Sequence, residues 1–125
     1  MKPGKVCTGI GSLALFLVGI LHGSKISQVE ALIKVNSVRP PLDGIARACW
    51  LLYSVQMVVL ATIAFVASRL ERGGRIVFLC GLMLALDGIV LLKFLGVFVG
   101  VYLTFAIMLL YFLGAFLQGR EAPAN

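Results

Sequence analysis

The chain has 125 residues, 61% of them hydrophobic and 13% charged, with a formal net charge of +6. A water-soluble domain carries about a quarter charged residues, so this composition excludes one and points to a single integral membrane domain over residues 1–125. The positive balance does not point to nucleic acid, because the cations stand at the ends of apolar stretches and no basic stripe with interleaved aromatics occurs.

Four apolar segments follow one another, at 6–21, 48–68, 76–92 and 97–117. With its flanks, each is long enough to cross about 30 Å of hydrocarbon at about 1.5 Å per residue. None alternates polar and apolar residues as a barrel strand would, so helices are the remaining way to satisfy the backbone in lipid. The expected fold is therefore an all-α polytopic bundle of four transmembrane helices, at about residues 6–23, 44–69, 75–94 and 97–118, with a short amphipathic helix at about 25–35.

The first span puts Thr8, Ser12, Leu15, Gly19 and His22 on one face, a stripe of mostly small or polar side chains that belongs against other helices. Gly19 and Gly23 make a small-xxx-small pair suited to close approach. The start has the basic and apolar regions of a signal peptide, but no A-x-A-like site follows Leu21, so an uncleaved span is expected. Residues 25–35 place Ile26, Val29, Leu32 and Ile33 to one side and Lys25, Gln28, Glu30 and Lys34 toward the other, as an interfacial helix or a lid over the bundle would. Arg39-Pro40-Pro41 forces an extended stretch, after which Asp43 is the expected N-cap of the second span.

In the second span Arg47 and Trp50 fall at the level where a basic end and an indole anchor a helix to the interface. Deeper in, Cys49, Tyr53 and Gln56 share a face. The loop 70–74, flanked by Arg69, Arg72 and Arg75, makes spans two and three an antiparallel hairpin. The turn at 94–100 has no charged or hydrogen-bonding side chain, which points to burial or to contact with another protein, with Gly96 and Gly100 as a close-packing pair. The fourth span lines up Thr104, Met108, Tyr111, Ala115 and Gln118, and EAPAN reads as a frayed tail. Six of the eleven cations stand at the termini and middle loop and five on the other side, so both termini are expected in the cytoplasm.

Asp87 stands inside the third apolar run. A charge at membrane depth costs about 3 kcal/mol on insertion scales, so it faces the bundle interior and takes a partner. Counting the rise from the outer face puts Tyr53 and Thr104 about 10 Å deep, Asp87 about 12 Å and Gln56 about 15 Å. These four form one layer, with His22 and Lys93 at the rim above it, while the inner half, Tyr111 apart, is expected to be dry. The layer is either a lock, with a protonated Asp87 bonded to Tyr53 or Gln56, or a ligand pocket opening to the outer side. A single histidine excludes bis-histidine haem, zinc lacks its usual ligand set, and Cys7, Cys49 and Cys80 form no C-x-x-C, so neither a cofactor nor a metal is implied.

The succession G-x-L-H-G from Gly19 to Gly23, the amphipathic connector, and R-x-x-W from Arg47 to Trp50 resemble a group of short bacterial four-helix membrane proteins without an assigned function. The likeness covers the first half of the chain. More distantly the chain is similar to DoxX-like proteins, four-helix membrane proteins of which some are linked to redox complexes; it departs from them in its H-G-S-K turn and in Asp87. The resemblance implies the four-helix architecture and a bacterial inner membrane. Three functional readings follow from the residues. One is a non-enzymatic accessory subunit or homo-oligomer held by its helices. The second is a binding protein or minimal transporter for a lipophile, a cation or a proton, using Asp87. The third is a small isomerase-like enzyme with Asp87 and His22 as acid and base.

Overall fold

A computed structural model describes residues 2–121; residues 122–125, most of the tail expected to fray, lie outside the described residues. Five helices run in chain order: α1 Pro3–Ser24, α2 Ile26–Val35, α3 Leu42–Ala67, α4 Gly74–Leu95 and α5 Val99–Glu121. Four of them, all but α2, are long and apolar enough to cross a membrane, and the chain is a small four-span helical membrane protein.

The helix ends follow local chemistry. Pro3 opens α1, where its missing N–H is no loss and its fixed φ suits the first turn. A single residue, Lys25, separates α1 from α2, so α2 turns away at once and rests on α3 and the end of α1 rather than covering all four spans. Ile33 is the buried anchor of α2, whereas Leu32, expected beside it, points outward together with Val35. A helix this short has room for one narrow inward stripe, with Ile33 buried and Ile26 and Val29 half-buried along it. Asp43 is not the N-cap expected of it: α3 begins one residue earlier, after Pro41, and Asp43 sits in the first turn in a 3.8 Å ion pair with Arg47. There its negative charge opposes the positive end of the helix dipole.

Helix α1 is central, packing closely against both α3 and α5, while α4 packs on α5. The hairpin neighbours α3 and α4 touch far less than these pairs do. Small residues explain which pairs close. On α1, Gly19 lies against Ser54, Met57 and Val58 of α3, and Gly4 and Gly11 lie against Gly114, Gln118 and the Tyr111 ring of α5. On α4, Gly81 receives the Phe112 ring and Gly88 the Phe105 ring, two knobs seven residues apart entering two holes seven residues apart. This is the close-packing glycine pair of the hairpin. Gly96, expected to play that part with Gly100, instead ends α4 with φ +75°, has open space around it, and serves as a helix stop. The core between the helices is formed by Leu15, Leu60, Ala64, Val77, Leu84, Ile107 and Tyr111.

Candidate functional site

The structure brings polar side chains together in two places, near opposite ends of the bundle. The end that carries the α1–α2 and α4–α5 connections holds the layer read from the sequence. Gln56 Nε2 on α3 donates to Asp87 Oδ2 on α4 at 2.8 Å, across the loosely packed α3–α4 seam. An intramembrane carboxylate has here found the partner its depth demands. Its other oxygen takes no hydrogen bond from the described residues.

Thr104 on α5 is buried and donates to the Gly100 carbonyl of its own helix at 2.9 Å. The Tyr53 hydroxyl lies beside it and within electrostatic reach of Asp87. It is enclosed, yet it completes no hydrogen bond of acceptable geometry with either. A buried hydroxyl without a partner costs about 1–3 kcal/mol. Tyr53 is therefore the least well satisfied member of the layer, with the Thr104 hydroxyl its nearest partner.

His22 stands at the rim as expected, but toward aromatic neighbours. Its ring stacks on Trp50 with centroids 3.7 Å apart and meets Tyr53 edge-on at 5.3 Å. Trp50 Nε1 donates to the His22 carbonyl at 2.8 Å, which also accepts from the Lys25 N–H at 3.1 Å as α1 ends. The indole N–H thus holds α1 to α3. No hydrogen bond or ion pair joins His22 to Asp87 among the described residues. Lys93 is exposed, lies over the Phe94 ring at 5.6 Å, and takes no part in the layer. Cys49 is exposed and outside it too, because α3 turns that position away from the bundle.

The second polar cluster was not expected, and it corrects the reading of a dry inner half. At the terminal end, Gln118 Nε2 on α5 donates to Thr8 Oγ1 on α1 at 3.0 Å and reaches the Gly4 carbonyl at 3.4 Å. Thr8 donates in turn to Gly4 at 3.0 Å, and one turn deeper Ser12 and Tyr111 share a hydrogen bond of 3.3 Å. All four side chains are buried, and none is charged. Thr8, Ser12, Tyr111 and Gln118 each lie on the stripes that periodicity picks out. Their meeting depends on α1 and α5 being neighbours, which a stripe on one helix does not encode.

Arg69, Arg72 and Arg75 are exposed around the α3–α4 turn, with Arg69 over the Phe65 ring at 4.6 Å. Inside this turn Gly73 is buried so tightly that a Cβ would overlap the Ala67 carbonyl. Among the described residues no group of three His, Cys, Asp or Glu side chains converges, and the three cysteines are free. Compared with protein-family models, curated proteins and solved structures, the chain matches none.

Proposed function

We propose that this protein is a non-enzymatic accessory component of a membrane assembly, docking on a partner protein through the end of its α4–α5 hairpin. One observation supports this reading above the others. In the turn between the two spans, Phe94, Leu95, Val97 and Val99 are 65–73% exposed, and the turn itself carries no polar side chain, Lys93 reaching only the Phe94 ring. A turn between spans emerges at headgroup level, where polar and aromatic anchoring residues are the rule. Large apolar side chains in that position gain most when another protein covers them. A photo-activatable diazirine residue at Val97 in native membranes should give a discrete protein adduct, lost on Leu95→Asn. An adduct of doubled mass would make the partner a second copy, and labelling of lipid alone would overturn the reading.

Orientation belongs to the same proposal, with both termini in the cytoplasm of a bacterial inner membrane. The cations clustered around Arg69–Arg75 support it. Gly73 leaves no room for a cysteine probe, so Glu71→Cys is the useful inner-side position and Asn36→Cys the outer-side one; both are exposed. An impermeant thiol reagent added outside should label the second and spare the first. The reverse pattern would invert the topology.

A second reading is favoured by the enclosed Tyr53 hydroxyl and the free oxygen of Asp87, which together leave one donor and one acceptor for a small hydroxylated or cationic lipophile. Acid–base catalysis by Asp87 with His22 has less support, since each holds separate partners.

A further inference from the structure

On the opposite face from the α4–α5 hairpin, a groove of about 630 Å³ runs between α1 and α3 in the terminal half of the bundle. Its origin is the way α1 shares its contacts. Near its C-terminal end α1 leans on α3 through Gly19 and Gly23; near its N-terminal end it leans on α5 through Gly4 and Gly11. The two helices therefore part toward the termini. Gly9 widens the gap, since a Cβ there would meet no atom within 4 Å.

The groove has a distinct chemistry from end to end. Its walls are apolar, with Ile10, Leu13, Phe16 and Phe65 exposed along it and Ala61 at its floor. Two hydroxyls line it, but Ser12 is engaged by Tyr111 and Thr62 donates to the Val58 carbonyl of its own helix, so neither offers a polar site. At the terminal end stand two cations, Lys5 from α1 and Arg69 from the end of α3. Neither has a carboxylate partner among the described residues, and no acidic side chain lines the groove. The Phe65 ring beneath the Arg69 guanidinium holds that charge at the mouth. From Lys5 to Phe16 the groove spans about 16 Å along α1, close to the depth of one leaflet.

We infer that this groove seats an anionic phospholipid, its phosphate between Lys5 and Arg69 and one acyl chain along the apolar walls. The lipid is the occupant that places negative charge at headgroup level and hydrocarbon below it in one molecule. An apolar helix from another protein would leave both cations uncompensated. A free phosphate would leave the slot empty. Basic sites between spans on the cytoplasmic side are of the kind that hold anionic headgroups, which agrees with the proposed orientation.

The test uses the full chain in mild detergent, titrated with dioleoyl phosphatidylglycerol or dioleoyl phosphatidylcholine and followed by native mass spectrometry. Phosphatidylglycerol should be retained preferentially, and each of Lys5→Gln and Arg69→Gln should reduce that preference about fivefold, the effect of one cation near a lipid surface. Gly9→Leu fills the slot from a position with open space and should lower retention of phosphatidylglycerol while leaving the helical melt unchanged. Equal retention of the two lipids, preference surviving the double variant, or full retention in Gly9→Leu would each overturn the inference. So would displacement of the lipid by millimolar inorganic phosphate, which would mark the cations as a phosphate site without an acyl seat, or exclusion of lipid by a second copy of the chain.

Discussion

The two polar clusters of this bundle use similar residues to opposite ends. At the terminal end, Thr8, Ser12, Tyr111 and Gln118 are buried, uncharged and joined to one another across α1 and α5, two helices in close contact. At the other end, Asp87, Gln56, Tyr53 and Thr104 span α3, α4 and α5, and α3 and α4 pack on each other far less than α1 does on α5; the set includes a carboxylate with a free oxygen and a tyrosine hydroxyl without a well-formed hydrogen bond. Polar groups in lipid strengthen a helix contact when they pair across it. In the terminal cluster each of the four side chains has such a partner across α1 and α5, which makes it a structural lock. The other leaves one Asp87 oxygen and the Tyr53 hydroxyl without a well-formed hydrogen bond among the described residues.

Breaking the lock should give the largest effect. At Gly114 any Cβ would collide with the Thr8 hydroxyl, close to the Gly4 carbonyl. Gly114→Val should therefore force α1 and α5 apart and cost about 3 kcal/mol, the upper part of the range for overpacking. Unfolding in mixed micelles, followed by circular dichroism, measures it. A loss below about 1 kcal/mol would mean that α1 and α5 shift freely and that the lock is loose. Gln118→Leu keeps the volume but removes the donor that ties Gly4 and Thr8 to α5, and should cost about 1.5 kcal/mol in the same assay.

The architecture was legible in the sequence because it rests on composition: four runs of apolar residues leave few alternatives in lipid. The partner of Asp87 was legible down to Tyr53 or Gln56, because a carboxylate in such a run has few partners at its own depth, and the structure gives it Gln56. The terminal lock was not. Thr8 and Gln118 are 110 positions apart, and only the order of the helices around the bundle, with α1 between α3 and α5, brings them together. The glycine signal was misread for a similar reason. Gly96 and Gly100 have the spacing of a packing motif, but α4 has ended before the first and α5 holds the second; Gly81 and Gly88 carry the α4–α5 contact because Phe112 and Phe105 fall opposite them. Spacing along one helix identifies what fits close to a neighbour; it does not identify the neighbour.

The same substitution at the two tyrosines sharpens the contrast. Tyr111→Phe removes a hydroxyl bonded to Ser12 and should cost about 0.6 kcal/mol, the average for an interhelical hydrogen bond in a membrane. Tyr53→Phe removes a hydroxyl that lies beside Thr104 without a well-formed hydrogen bond, and should leave the protein as stable as before or more stable by up to about 1 kcal/mol. Melts of the two variants beside the wild type decide it. A destabilised Tyr53→Phe would mean that its hydroxyl is satisfied in the folded protein, and the distinction between lock and site would weaken.

The smallest effect on stability is expected at Asp87, and there function and stability separate most cleanly. Asn retains an oxygen that can accept from Gln56 Nε2, so Asp87→Asn should preserve the α3–α4 bridge and change stability by less than about 0.6 kcal/mol. What Asn cannot supply is negative charge. Trp50, the chain's single tryptophan, is stacked on His22 beside Tyr53, so its fluorescence reports on the rim of this site. A lipophilic primary amine such as dodecylamine should change that fluorescence saturably in the wild type. The response should vanish in Asp87→Asn and persist in Lys93→Gln, since Lys93 faces away over Phe94. If Asp87→Asn responds as the wild type does, the carboxylate takes no part in binding. The open end of the bundle would then owe its loose seam to the partner expected at the α4–α5 turn, whose docking would have to satisfy Tyr53 by drawing α3 and α4 together.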